Sequence, residues 1–255
     1  MLQSVFMLLD WCDTLHFDLR PDGQLSREDI GTELPAMDLT LRAAHALQAA
    51  TGCRTGAHIG VQKSIPAQAG MGGGSSDAAT ALLALNRLWQ LNLPRPALER
   101  IGLTLGADVP FFLRGHNAWV EGIGETIQPL ESGQQPPPAQ FVVVKPQAGL
   151  ETKAIFSSPA LKRDSSHATI LGFAAAHYDF GRNDLQPVAE SLCTDVKKAI
   201  NWLNSKGMHA RMTGSGSAVF AQMPRDVDFQ DAPSEWKIKT CGNLMIHPLA
   251  GWVSE

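Results

Sequence analysis

What this sequence lacks narrows its function before any motif is read. Its four cysteines, Cys12, Cys53, Cys193 and Cys241, are far apart and form no Cys-x-x-Cys pair, which fits neither a zinc site nor a disulfide framework. Reduced thiols and a cytoplasmic location are the expectation. The eight histidines show no His-x-x-x-His or similar metal spacing, so each reads as a surface or structural residue. Basic charge is not in excess: 21 Lys plus Arg stand against 25 Asp plus Glu, a net charge of −4. No global field gathers nucleic acid or anionic lipid, and any phosphate must be held locally. Long apolar runs are absent at the start of the chain, where Val5 to Leu9 ends at Asp10 and has no basic stretch before it. That segment is neither a signal peptide nor a membrane span. With 44% hydrophobic and 18% charged residues, a disordered, collagen-like or coiled-coil chain is excluded. A length of 255 residues holds one large domain or two small ones.

What is present reads as interspersed strands and helices. Val5 to Leu9 predicts a buried strand, and the alternation of Leu15, Phe17 and Leu19 a half-exposed one, joined as a hairpin through Asp13-Thr14. Leu39, Ala43, Ala46, Leu47 and Ala50 recur at helical spacing between an Asp38 N-cap and a Gly52 stop, and Ala57, Ile59 and Val61 form the next strand. Ala78, Ala81, Leu82, Leu85, Leu88 and Trp89 mark a long helix with one apolar face, followed by a shorter one from Pro96 to Leu105. Residues 131 to 140 are polar and proline-rich, the best linker in the chain, and divide it into domains 1–135 and 136–255. Beyond them the pattern predicts a strand from Phe141 to Val144, a helix from Val188 to Leu203, a strand into Met212, a glycine turn, a strand from Ala218 to Gln222 and a last one from Lys237 to Cys241. Trp89, Trp119, Trp202 and Trp236 lie in apolar patterns and are expected in the core. The fold class is therefore α+β in two lobes.

Three segments carry chemistry. In the run from Pro66 to Ala79, Gly70, Gly72, Gly73 and Gly74 remove the Cβ atoms that block close backbone approach, so several N–H groups can converge on one anion. The run opens straight into the long helix, with Ser75, Ser76 and Asp77 as N-cap candidates and the positive end of the helix behind the loop. A polyphosphate suits such a site. The plain alternative is a flexible surface loop before a capped helix. Absence of Gly-Lys-[Ser/Thr] excludes a P-loop, and there is no Gly-x-Ser-x-Gly nucleophile elbow. Second, Asp108 lies between Ala107 and Val109-Pro110-Phe111-Phe112, a setting that desolvates a carboxylate and fits it to take a proton from a hydroxyl. Taken alone it is as readily a turn cap. Third, Thr213-Gly214-Ser215-Gly216 between two apolar strands is, by itself, an ordinary hairpin.

Together these segments resemble the GHMP kinase superfamily. The resemblance runs through nearly the whole chain: Leu2-Gln3-Ser4-Val5-Phe6, Leu9-Asp10-Trp11-Cys12-Asp13-Thr14, Lys63-Ser64-Ile65-Pro66 before the glycine loop, and Leu103-Thr104-Leu105-Gly106-Ala107-Asp108-Val109-Pro110. It continues through Glu121-Gly122-Ile123-Gly124-Glu125, Asn183-Asp184-Leu185 and the Gly214 turn. It implies an amino-terminal ATP-binding lobe and a ferredoxin-like carboxy-terminal lobe. ATP with Mg²⁺ would lie between them, held by Lys63, Pro66, Gly70, Met71, Gly72, Gly73, Gly74, Ser75 and Ser76. It further implies Asp108 as catalytic base, Thr152, Gly214 and Ser215 on the substrate side, and a small-molecule acceptor, the 2-hydroxyl of a cytidine diphosphate-linked methylerythritol. No residue is assigned to the metal. The bottom-up chemistry agrees, since phosphoryl transfer is mostly positioning and charge neutralisation. Another small-molecule kinase of the same superfamily is the alternative.

The same resemblance implies a strand of the type Pro-Ala-Lys-Leu-Asn-Leu and a turn ending Gly-Tyr-His before Leu2, and this sequence contains neither. In the family that stretch carries a lysine pairing with the catalytic aspartate and a Tyr-His pair contacting the cytidine. The expectation is a start assigned at an internal Met in a longer natural chain; a chain reduced to nucleotide binding is the alternative.

Overall fold

The computed structural model describes residues 2–224 and 227–254. The chain opens with β1 (Leu2–Phe6), breaks at Met7, and resumes as β2 (Leu8–Leu9). The single strand expected from Val5 to Leu9 is thus two, because the chain passes from one sheet to another at the break. Next come β3 (Thr14–Arg20), β4 (Leu25–Ile30), α1 (Leu39–Thr51) and β5 (Gly56–Gln62). The expected hairpin does not form: β3 pairs antiparallel with β5, and β4 lies parallel to β5 on its other edge. The cause is local, since Asp13 accepts from the Ser64 and Ile65 N–H groups and so draws the start of β3 to the end of β5.

Helix α1 has the caps expected of it. Asp38 accepts from Leu41 N at 3.0 Å and Thr40 N at 3.2 Å, and Gly52 closes the helix in the left-handed region at φ 67°. α2 (Gly73–Leu88) and α3 (Arg95–Leu105) follow, then α4 (Val109–Arg114), a short helix absent from the sequence expectation. Leu47 of α1, Ile59 of β5 and Leu82 and Leu85 of α2 are fully buried together and form the core of this lobe. β6 (Ala118–Gly122) and β7 (Thr126–Pro129) form a hairpin, and β1 pairs with β6.

The second half begins with β8 (Gln140–Lys145), then α5 (Thr152–Phe156) and α6 (Ile170–Ala176). The helix expected from Val188 to Leu203 is two, α7 (Gln186–Leu192) and α8 (Thr194–Ser205), because Cys193 adopts an extended backbone at φ −139° and ψ 100°. β9 (Arg211–Met212), β10 (Val219–Gln222) and β11 (Lys237–Leu244) complete a five-stranded antiparallel sheet ordered β2-β11-β8-β10-β9. Four of these, β11-β8-β10-β9, have the ferredoxin-like order. Val142, Val144, Val219 and Ala221 on one face pack against Val196, Ala199, Ile200 and Leu203 of α8. Trp89 and Trp119 are buried as expected, whereas Trp202 and Trp236 are only partly covered, stacked edge to face at the rim of this core. The other sheet face meets the first lobe through Trp11, Ile65, Ala69, Phe141, Val143, Ala218 and Cys241. That shared cluster lies beneath the glycine loop and fixes one lobe against the other. Among the described residues no helix is long and apolar enough to cross a membrane.

Candidate active site

The glycine loop is built by close backbone contact. Gly70 is left-handed at φ 68°, and a Cβ there would collide with the Thr213 carbonyl and sit 2.8 Å from Gly216 N. Only glycine lets the loop of one lobe approach the turn of the other so closely. Three bonds join them: Thr213 Oγ1 donates to Gly70 O at 3.0 Å, Ser217 N to Gln68 O at 3.2 Å and Ala218 N to Ala69 O at 3.2 Å. Met71 packs against the cluster beneath, and the Phe112 ring lies over Gly72, 3.0 Å from where a Cβ would stand.

α2 starts earlier than the sequence suggested. Gly72, at φ 69°, is its N-cap and supplies no side chain, so Ser75, Ser76 and Asp77 lie inside the helix and do not cap it. Glycines at the first two helical positions hide the start, because their propensity is about 1 kcal/mol below alanine. The consequence serves an anion site. The N–H groups of Gly73, Gly74 and Ser75 have no acceptor within an α-helix, no side chain caps them, and the first turn holds no acidic residue.

Lys63, expected beside the nucleotide, is engaged within the protein. It pairs with Asp13 and, at 2.6 Å, with Asp77 Oδ2, and all three side chains are 10% exposed or less. Asp13 also accepts from Ser64 N at 2.6 Å and Ile65 N at 2.8 Å. Burial works against the Lys63 charge, yet Asp77 and Asp13 outweigh it and hold the ammonium above its ordinary value. One lysine balances one carboxylate, and the surplus falls on Asp77, which burial and the charge of Asp13 carry to about 7 against the pull of Lys63. The trio ties the end of β5 to α2 directly behind the loop. The sequence reading took Asp77 as an N-cap candidate and Asp13 as a turn residue, and named neither as a partner of Lys63.

Asp108 stands immediately before α4. Its side chain does not cap that helix, and among the described residues no donor bonds its carboxylate. Burial raises its pKa above the ordinary carboxylate range. The loop that carries it faces the start of α2, with the Cβ position of Gly106 3.9 Å from Ser75 Oγ. The Asp108 segment, the glycine loop and the Gly214 turn, well separated in sequence, thus adjoin one another. On the far side, Thr152 at the start of α5 shares a 2.7 Å hydrogen bond with Ser215, and Gly214 is left-handed at φ 50°. Asn183 holds this turn, donating to Met212 O at 2.9 Å and Gly214 O at 2.7 Å. Among the described residues no three His, Cys, Asp or Glu side chains cluster as a metal site.

Residues 38–116 match the family model for the GHMP kinases N terminal domain, and residues 160–239 that for GHMP kinases C terminal. Over its full length the chain is 71% identical to a 4-diphosphocytidyl-2-C-methyl-D-erythritol kinase of Paracidovorax citrulli, spanning 90% of that relative. It is 67% identical over 256 residues to a protein of the same name from Delftia acidovorans, covering all of this chain and 89% of that relative. Among solved structures it is similar to a crystal structure of 4-(cytidine 5'-diphospho)-2C-methyl-D-erythritol kinase at 27% identity and TM-score 0.76, over 94% of this chain and 89% of the other. A homoserine kinase from Cytophaga hutchinsonii, 16% identical with TM-score 0.69 over 95% of this chain and 89% of its own, shares the fold.

Proposed function

The chain belongs to the GHMP kinases, and from that membership we propose that it transfers the γ-phosphoryl group of ATP to the 2-hydroxyl of 4-diphosphocytidyl-2-C-methyl-D-erythritol, in the cytoplasm, on the way to isoprenoid precursors. The acceptor follows from relatives 58 to 71% identical that carry that substrate in their names. The half-buried Asp108 carboxylate beside the glycine loop, which no donor among the described residues bonds, is the observation that carries the mechanism. As ionised base it takes the proton of the acceptor hydroxyl while the acceptor oxygen bonds to the γ-phosphorus and the bridging oxygen leaves with ADP.

The N–H groups of Gly73, Gly74 and Ser75 hold the polyphosphate, and the Gly70 contact with Thr213 keeps the loop shaped before ATP arrives. Preorganisation of this kind lowers the barrier because no reorientation is needed during the reaction. The Thr152–Ser215 pair lines the acceptor side. Mg²⁺ prefers oxygen ligands and keeps waters and substrate phosphates among them, so a three-carboxylate cluster is not required. The Ser75 and Ser76 hydroxyls are side-chain oxygens this loop would offer it, and the ion would neutralise charge on the transferring group. We divide the chain at residue 135, with Leu8–Leu9 crossing to pair with β11 of the second domain.

The test is Asp108→Asn. Turnover of the acceptor should be lost while ATP binding, measured by calorimetry, stays within about threefold of the original. Retained turnover removes Asp108 from the role of base.

A further inference from the structure

The turn joining β6 and β7 is shaped by more than hairpin closure. Gly122 and Gly124 are both left-handed, at φ 79° and φ 115°. A Cβ at Gly124 would press on Ala107 Cβ at 3.3 Å and Asp108 Oδ1 at 3.5 Å. The turn therefore lies against the Asp108 carboxylate with its backbone. It is also braced: Gly124 N donates to Glu121 O at 3.2 Å, and Glu125 folds back so that its carboxylate accepts from Ile123 N at 2.6 Å. A bare hairpin needs neither the brace nor contact with a carboxylate in another segment.

We propose that the turn Gly122–Glu125 is a wall over Asp108 that keeps water from its carboxylate, with Gly124 as the positioning residue that permits the approach and Glu125 as the brace that holds it. This rests on the role assigned to Asp108 above and extends it, since a base shielded from water yields its charge to the acceptor proton and not to solvent. Burial is the cause of the raised Asp108 pKa, and the charged groups around it are otherwise engaged. On the turn, the Glu121 carboxylate accepts from Gln3 and Trp119, and Glu125 from Ile123 N. α4 carries Arg114, paired with Glu99, and α2 carries Asp77, paired with Lys63. A change in the turn therefore reaches Asp108 through water access.

The experiment titrates the Asp108 carboxylate by carbon-13 NMR, its signal assigned by loss in Asp108→Asn, in Gly124→Ala and in Glu125→Ala. Glu125→Ala alters an exposed side chain, so it stays folded if the bulkier change at Gly124 does not. The expected result is a downward shift of the Asp108 midpoint by at least half a pH unit in either variant, a fall in kcat of tenfold or more in Gly124→Ala, and a KM for ATP within twofold. Acceptor-independent release of ADP, with water taking the phosphoryl group, should rise relative to transfer. An unmoved Asp108 midpoint in folded variants overturns the wall. Turnover retained by Asp108→Asn overturns the base assignment alone, because the titration reads the turn whether or not Asp108 is the base.

Discussion

The Lys63 ammonium lies 2.6 Å from Asp77 Oδ2 while also paired with Asp13, so one buried cation faces two buried carboxylates behind the glycine loop. This imbalance has a consequence for stability. An aspartate in an unfolded chain titrates near 3.9, whereas Asp77 in the folded protein titrates at about 7. Between those values the folded state keeps a proton that the unfolded state has released. Stability therefore falls as pH rises through that window, by at most about 1.4 kcal/mol per pH unit, and levels off above it. Lys63, held charged above its ordinary value, adds no slope there. Asp77→Asn retains an acceptor for Lys63 and removes the surplus charge. Denaturant midpoints at pH 5, 6, 7 and 8 should decline in the original protein and decline less in Asp77→Asn; parallel slopes would refute the assignment.

A second prediction concerns Asn183, whose amide donates to two carbonyls of the Gly214 turn while its oxygen accepts from Leu185 N at 3.0 Å. Asn183→Ala removes the donors and leaves the carbonyls of Met212 and Gly214 to find water, at a cost of about 1–3 kcal/mol. Asn183→Asp is the closer match in shape and the worse change, because it sets a carboxylate against those two carbonyls. The expected order of thermal midpoints is original, then Ala, then Asp. The KM for the acceptor should rise in the same order, since the turn carries Ser215, the partner of Thr152. An Asp variant as stable as the original would show that these bonds do not hold the turn.

Local chemistry made parts of this molecule legible in advance. α1 was readable because its cap residues, Asp38 and Gly52, flank a clean apolar period, and the glycine loop because four glycines within five positions run straight into a helix with a clear apolar period. β4 was missed: its sequence, Leu-Ser-Arg-Glu-Asp-Ile, carries three charges, and what stabilises it is not in its own pattern. Arg27 pairs with Asp29 at 2.7 Å and with Asp38 of the α1 cap at 2.6 Å, a tertiary arrangement that no period reveals. The partners of Lys63 were hidden for a similar reason, since Asp13 and Asp77 are brought to it by the folding of β3 and α2 around β5. The supposed hairpin failed because Asp13, taken as a turn residue, instead binds the exit of β5.

A last prediction sets helix propensity against packing at Gly102. This residue is buried within α3 where α4 crosses it, and a Cβ there would lie 2.9 Å from Val109 Cγ1 and 3.0 Å from Leu113 Cδ1, both fully buried. Alanine improves helix propensity by about 0.8–1 kcal/mol. Overpacking a closed core costs about 1–3 kcal/mol, and Val109 and Leu113 are both fully enclosed by their neighbours. Packing therefore prevails, and Gly102→Ala should lower the thermal midpoint by a few degrees. The relief open to the structure is for α4 to move away from α3. Asp108 directly precedes Val109, so its carboxylate moves with that helix while the Gly73–Ser75 N–H groups stay in place. kcat should then fall with the KM for ATP nearly unchanged, a split that a general loss of stability, assayed well below the midpoint, would not produce. A raised midpoint would mean that propensity outweighs the contact and that α4 yields without strain.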